Sequence, residues 1–307
     1  MAEAQKVTFF QRKQIECPVC ETRFYREDLL TGGGRLLAGQ LTNELRRLYE
    51  PSKKFGEVFP LIYPVTVCPV CYYSAYAQDF PRFPEERKKE AEVNADERRE
   101  SVSLIFPDLD FTSPRTLKEG IASYLFALFC YEFMGKEMNP TFKSGLSALR
   151  AAWLLSDLHA RYPADNYDFL AKLFYRKARF YYLLTIEKEQ MGKEALPNGL
   201  AYGPDLDKNY GYDGFIYLAS YLDFKHGSDA QVDKRIASLE FARRMIAKVF
   251  GMGQASKARP STLLDQSKEI YALIGEEIAA LKGEGAPGTA EVPREPSPDN
   301  PEGSTGG

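Results

Sequence analysis

The sequence predicts a mainly α-helical chain with a small cysteine-rich module at its N-terminal end. Two observations lead to this prediction. Four of the five cysteines lie before residue 80, in two identical Cys-Pro-Val-Cys tetrapeptides. From residue 113 onward, apolar side chains recur at the three- and four-residue spacing of amphipathic helices. The two parts of the chain are therefore expected to be stabilised in different ways.

The two tetrapeptides have the ligand number of a metal site. They contain Cys17 with Cys20, and Cys68 with Cys71. Each Cys-x-x-Cys segment can form a tight turn that directs both sulfurs toward one point, and two such turns supply four thiolates in a closed tetrahedral site. The sequence thus predicts one structural Zn²⁺ per chain, held by a four-cysteine zinc-binding module over residues 1–83.

Two other interpretations of these cysteines remain open. One pair could act as a redox dithiol, because neighbouring thiols at a helix start have depressed pKa values. Against this, the pair is duplicated and no strand–helix–strand pattern surrounds either copy. Structural disulfides would need an oxidising compartment. The first residues lack the basic and apolar regions of a signal peptide, and no apolar run reaches the length of a membrane span. A cytoplasmic protein without membrane contact is expected.

The segments around the cysteines predict short local structures. β-prone residues flank each pair, so a hairpin is expected across each one. Between the pairs, Leu41, Leu45 and Leu48 share the spacing of one helix face and predict a helix over residues 41–49.

Aromatic side chains follow the second pair at Tyr72, Tyr73 and Tyr76. Rings beside a zinc turn can stack on nucleobases, or they can form the small core that a metal module needs. Basic and acidic residues nearly balance before residue 80, and the whole chain has a net charge of −3. Because the phosphate-binding charge is missing, the core is the preferred interpretation, and nucleic acid is an unlikely partner.

The rest of the chain divides into three parts. Residues 84–112 are highly charged and predict a helical connector. Residues 113–282 predict antiparallel helical hairpins like those of tetratricopeptide repeats (TPR-like), although an irregular helical bundle fits the pattern too. Residues 283–307 are rich in Gly and Pro and are expected to be a disordered tail. The predicted long helices cover residues 113–134, 141–160, 167–189, 214–224, 232–250 and 261–281.

The layout resembles a bacterial family catalogued as a domain of unknown function, DUF2225. The resemblance rests on the two cysteine pairs, on the segment Tyr63-Pro-Val-Thr-Val before the second pair, and on Ala-Leu-Arg-Ala-Ala-Trp over residues 148–153. It extends over residues 6–280. It implies a zinc-ribbon-like module followed by TPR-like helices, with the four paired cysteines as the metal ligands. It implies no particular activity.

No set of residues in the sequence predicts catalysis. His159 and His226 each lie near the end of a predicted helix, where they are expected to interact with the helix C-terminus. Cys130 lies within an apolar helix and is expected to be an inert buried thiol.

The preferred hypothesis is a non-enzymatic, zinc-stabilised scaffold or adaptor that binds a protein or peptide in a helical groove. Two alternatives are a thiol-based redox or metal sensor and a protein that binds single-stranded nucleic acid through the zinc module. Four residues of the third long helix are candidates to bind an acidic partner segment, although the preferred interpretation is that they form its solvent-facing surface. They are Lys172, Tyr175, Arg176 and Arg179.

Overall fold

The structure, a computed structural model, describes residues 6–196, 202–228, 230–250 and 260–283. Short strands and turns come first and eight α-helices follow in the described part, so the chain is mainly helical, as predicted. None of the described helices combines the length and the apolar character needed to cross a bilayer. The predicted tail lies outside the described residues, apart from Gly283.

The N-terminal part contains four separate two-stranded antiparallel sheets. Two of these sheets, formed within residues 15–24 and within residues 65–76, are the hairpins predicted across the two cysteine pairs. The pairs of strands are β1 (Thr8–Phe10) with β4 (Glu27–Leu29), β2 (Ile15–Glu16) with β3 (Arg23–Phe24), β5 (Leu37–Leu41) with β6 (Arg47–Glu50), and β7 (Val65–Val67) with β8 (Ser74–Tyr76).

The prediction of a helix over residues 41–49 is wrong, since these residues belong to the β5–β6 hairpin and its tip. We call residues 42–46 the hairpin tip. Leu45 has a φ of 58°, which a helix does not allow, and its N–H donates to the carbonyl of Thr42 at 3.0 Å. The Thr42 hydroxyl also accepts from the N–H groups of Glu44 and Arg46. These local bonds make a turn, and burial of Leu45 overrides the leucine periodicity.

The six long helices predicted from periodicity are all present. The first begins at Leu117, because Thr116 is its N-cap and forms a capping box with Glu119. Ser113, where the predicted helix starts, lies before this helix and donates to Asp110 in the preceding turn. The helices are α1 (Lys88–Val93), α2 (Ala95–Ser103), α3 (Leu117–Tyr131), α4 (Pro140–Arg161), α5 (Tyr167–Gln190), α6 (Gly211–His226), α7 (Val232–Phe250) and α8 (Ser261–Leu281).

Helix α3 joins the cysteine-rich part to the other helices. It contacts β7, β8, α2 and α4, and nearly all its side chains are buried. Gly120 allows α3 to approach the segment that contains Ile62, because a Cβ at this position would lie 2.4 Å from a side-chain carbon of Ile62. From α3 to α8, each helix packs against the next along the chain.

A buried ion pair fixes the second hairpin against these helices. Asp79 follows β8, is 1% exposed, and accepts a hydrogen bond from the Tyr131 hydroxyl at 2.7 Å. Lys143 of α4 forms a salt bridge with the same carboxylate. The Tyr131 hydroxyl also accepts from the backbone N–H of Tyr76 at 3.1 Å. These contacts hold β8 in one position relative to α3 and α4.

Candidate metal centre

The two cysteine turns are structural copies of each other. In the first, the N–H of Cys17 donates to the carbonyl of Thr22 at 2.9 Å, and in the second the N–H of Cys68 donates to Tyr73 at 2.9 Å. The residue after each second cysteine has a positive φ, 60° at Glu21 and 58° at Tyr72. Both turns are closed by a short antiparallel hairpin. The repeated tetrapeptide thus folds twice in the same way.

The hairpins bring the four sulfurs of Cys17, Cys20, Cys68 and Cys71 into one cluster. These atoms all lie within 4.8 Å of one another. The Cys17 and Cys71 sulfurs are 3.6 Å apart, and those of Cys20 and Cys68 are 3.5 Å apart. A tetrahedral ion with metal–sulfur bonds of about 2.3 Å separates its sulfurs by about 3.8 Å. The cluster therefore has the dimensions of a four-thiolate metal site.

All five cysteines are free thiols in the structure. The contacts of 3.5 and 3.6 Å are far longer than a disulfide bond of about 2.05 Å. Each of these contacts joins one turn to the other. Any ion bound by the cluster would therefore cross-link two segments that are distant in sequence.

Crowding gives the thiols different acidities. Hydrogen bonds from Cys17 and Cys71 stabilise the Cys68 thiolate and lower its pKa. The bond to Cys68, together with burial, raises the pKa of Cys17, and bonds to Cys17 and Cys68 raise the pKa of Cys71. Without a cation, the raised pKa values of Cys17 and Cys71 favour their protonated forms. Four thiolates at this separation require a cation to balance them.

The backbone of the second turn is supported by two buried side chains. The guanidinium of Arg98, in α2, donates to the carbonyl of Cys71 at 2.7 Å and is 2% exposed. The sulfur of Cys130, in α3, accepts from the N–H of Ser74 at 3.3 Å. Burial raises the pKa of the Cys130 thiol to about 11. Cys130 is thus a buried thiol, as expected, and it packs beside the cluster without joining it.

Arg98 was missed in the sequence because it lies in a run of charges that predicts a solvent-exposed helix. Its neighbours Glu97 and Arg99 are indeed exposed. No local feature marks Arg98 as different, because its partner carbonyl belongs to another part of the chain.

The aromatic residues after the second pair form a core. Tyr73 and Tyr76 are 1% and 9% exposed, and Tyr73 packs on Phe80 with ring centroids 4.9 Å apart. Tyr72 packs on Phe126 of α3 at 5.0 Å. The rings of Tyr73 and Tyr76 are too buried to stack on nucleobases, and the partly buried ring of Tyr72 is covered by Phe126. The geometry therefore favours the core interpretation of this cluster.

The segment between the cysteine pairs extends to the long helices through the hairpin tip. The Glu44 carboxylate accepts hydrogen bonds from the Trp153 indole of α4 and from the Tyr175 hydroxyl of α5, the latter at 3.0 Å. Tyr217 of α6 donates to the carbonyl of Asn43 at 2.7 Å, and Gln266 of α8 donates to Thr42 at 3.3 Å. Four helices thus hold the tip.

An ion pair and apolar packing also hold the hairpin tip against the helices. Arg46 forms a salt bridge with Asp157 of α4, and its guanidinium lies over the Trp153 ring. Leu45 is fully buried beside α6. Burial raises the pKa of the Glu44 carboxyl, although its two donors oppose that shift. The hairpin tip is therefore packed specifically against the helices, and the Glu44 carboxylate is partly buried between them.

The structure separates the four candidate partner-binding residues into two groups. Tyr175 and Arg179 face inward, where Tyr175 contacts Glu44 and Arg179 forms a salt bridge with buried Asp223 of α6. Lys172 and Arg176 are exposed. The acidic group that meets Tyr175 is thus Glu44 of this same chain.

Both histidines lie in the last turn of a helix, as expected, His159 in α4 and His226 in α6. His226 stacks on the ring of Tyr175 at 4.3 Å. Burial, with the nearby cations of Arg176, Lys225 and Arg179, lowers its pKa to about 4. It is therefore a neutral packing residue at physiological pH.

The fold and the cluster together define a mainly helical protein with a four-cysteine, metal-binding geometry near its N-terminus. The family model described as "Uncharacterized protein conserved in bacteria (DUF2225)" matches residues 10–274. An uncharacterized protein of Borreliella burgdorferi is 42% identical over 279 residues, which cover 91% of this chain and 100% of that protein. The chain belongs to the DUF2225 family, which confirms the resemblance. No solved structure matches it.

Proposed function

We propose that the protein is a non-enzymatic interaction protein, a scaffold or adaptor, whose N-terminal module is stabilised by one structural Zn²⁺. The observation that carries the proposal is the closed four-sulfur cluster in a segment whose hairpin tip is bound by four helices. A cation that joins the two turns would hold both ends of that segment. The role proposed for the cation is therefore to stabilise the helical part in the conformation that binds a partner.

The donor set supports zinc as the ion. Four thiolates are soft ligands, and a tetrahedral sulfur site suits Zn²⁺ or iron. Cys17, Cys68 and Cys71 are buried, and Cys20 is partly exposed. With four protein ligands the coordination shell is closed, whereas a catalytic zinc keeps a position for water or substrate. The site is thus suited to structure rather than to chemistry.

The order of the helices supports the TPR-like proposal. Each of α3 to α8 packs on its successor, which is the neighbour-to-neighbour contact of stacked helical hairpins. Such arrays present extended surfaces to protein partners. The inner contact at Tyr175 is filled by the hairpin tip. A partner is therefore expected on another face of the helices.

The test is capture of partners by full-length protein with and without its metal. Tagged wild type is compared with the same protein after chelation and with a Cys17→Ser, Cys68→Ser variant. We expect a defined set of proteins to bind only the metal-loaded form. Turnover of a small molecule with no protein partner, or the same partners with all three forms, would contradict the proposal.

A redox or metal sensor is the second candidate, and the exposure of Cys20 favours it. This sulfur offers an oxidant access to the cluster, and oxidation of thiolates releases zinc. The test is exposure of the metal-loaded protein to mild peroxide with a colorimetric zinc indicator. Stoichiometric release that reverses with dithiothreitol is expected of a sensor. Metal that stays bound until the protein unfolds rules it out.

A further inference from the structure

Helix α5 exposes a stripe of large apolar side chains. Phe169, Leu173 and Phe180 are 58%, 41% and 56% exposed. With Lys177, they follow the three- and four-residue spacing that places side chains on one face of a helix. Isolated exposed apolar residues are ordinary, but a continuous stripe marks an interaction surface.

A cavity opens beside this stripe, between α2, α3 and α5. Its volume is about 140 Å³ and its walls are mainly apolar. Val102 comes from α2, Ile105 follows the end of α2, Leu125 and Leu128 come from α3, and Phe174 comes from α5. Lys177 lies on the cavity and also in the stripe, so the two features are continuous. We call them together the α5 surface.

The charges of the α5 surface define its partner. Arg176 and Lys177 are exposed, and neither forms an ion pair among the residues that the structure describes. Lys172 adds a third cation, although it is paired with Asp168 at 2.9 Å. Glu132, on the α3 side of the cavity, carries the opposite charge. The side of the surface that belongs to α5 is therefore cationic.

We propose that the α5 surface binds a protein segment that combines acidic residues with a leucine or aromatic anchor. The anchor enters the cavity between α2 and α5, its apolar neighbours cover Leu173 and Phe180, and its carboxylates face Arg176 and Lys177. This inference rests on the proposed interaction function and names the surface and the class of partner. A second copy of the chain fits poorly, because two such surfaces would bring like charges together.

A carboxylate next to a leucine already binds these helices at another place, where its donors are the neutral Trp153 and Tyr175. At the hairpin tip, Glu44 and Leu45 present a carboxylate and a buried leucine to α4, α5 and α6. That contact occupies the inward side of α5, so it leaves the α5 surface open.

The experiment measures binding of labelled synthetic peptides to full-length, metal-loaded protein by fluorescence anisotropy. The first peptide is an acidic 14-residue helix with Leu at positions i, i+4 and i+7. The second has Ser in place of Leu, and the third has Lys in place of Glu. We expect only the first to bind, with an affinity that falls as salt is raised.

The variants Leu173→Ser, Phe180→Ser and Lys177→Glu should each weaken binding of the first peptide at least tenfold. Met191→Ser and Lys193→Glu change an exposed apolar and an exposed basic residue beyond the end of α5, and they should bind as wild type does. Metal content and circular dichroism establish that every variant is folded.

The inference is overturned if the acidic peptide does not bind wild type, if all three peptides bind alike, or if Leu173, Phe180 and Lys177 variants bind normally. Retention of single-stranded RNA by the surface, lost in Lys177→Glu, would also overturn it. If cellular partners are captured equally by wild type and the α5 variants, the interaction function stands and this surface is wrong. If no partner is captured at all, the proposed function itself fails.

Discussion

Glu44 and Tyr175 are joined by a hydrogen bond of 3.0 Å between the tip of a β-hairpin and the middle of helix α5. The hairpin belongs to the segment between the two cysteine pairs, so this bond links the candidate metal module to the helical part. Trp153 donates to the same carboxylate. The relationship makes Glu44 the residue on which docking of the hairpin depends most directly.

Glu44→Ala should lower the free energy of unfolding by about 2–3 kcal/mol, because it leaves two buried donors without an acceptor. Glu44→Gln keeps an acceptor oxygen and should lose less. Glu50→Ala, an exposed position on the same hairpin, is the matched control and should change little. Urea unfolding followed by tryptophan fluorescence measures all three, and equal stability of Glu44→Ala and wild type would refute the docking argument.

Asp79 and Lys143 form a buried pair whose partners depend on each other. Burial lowers the pKa of Lys143, and the carboxylate of Asp79 opposes that shift. Asp79→Ala leaves a buried cation unpaired and should destabilise the protein by about 3–5 kcal/mol. The double variant Asp79→Leu, Lys143→Met should recover much of that loss. A double variant less stable than Asp79→Ala would show that the pair itself, and not the unpaired charge, is what matters.

Arg98 should affect how tightly the metal is held, although it is not a ligand. Its guanidinium fixes the carbonyl of Cys71, and loss of such supporting bonds typically weakens metal binding about 10–100-fold. We expect Arg98→Ala to lose zinc to a competing chelator correspondingly more easily. Glu100→Ala changes an exposed residue of the same helix and is the control. If both variants lose zinc to the chelator equally easily, Arg98 contributes to packing and does not affect metal binding.

His226 should make stability depend on pH. Its pKa of about 4 in the folded protein lies below the usual value of 6.5, so the unfolded chain takes up a proton first as pH falls. Its contribution to stability is therefore complete above pH 6.5 and is lost between pH 6.5 and about 4. His226→Gln should reduce this fall relative to wild type. NMR titration of the imidazole is the direct check, and a value near 6.5 contradicts the assignment.

Local signals explain which parts of the fold the sequence could predict. The long helices have regular apolar spacing, and each cysteine turn is encoded within a few residues, so both were predicted. The β5–β6 hairpin was not predicted, since its leucines also fit one face of a helix. Leu45 is fully buried only because distant helices surround it. Turn formation at Thr42 and docking at Trp153 together outweigh the periodicity.

The candidate site shows the same division. Its four sulfurs follow from residue type and spacing, whereas Arg98 and Cys130 act through backbone groups of a different segment. The four candidate partner-binding residues were predicted as one set, but Tyr175 and Arg179 face inward and Lys172 and Arg176 face outward. Which side of α5 is covered depends on α4, α6 and the hairpin tip, and none of these contacts is local.

The most direct test of the account is metal content combined with thiol titration. Protein purified without added metal is analysed by mass spectrometry, and its thiols are titrated before chelation, after chelation and after denaturation. We predict about one zinc per chain. The four clustered cysteines should react only after chelation, and Cys130 should react only after denaturation. No bound metal, or disulfides between the paired cysteines, would contradict the central claim.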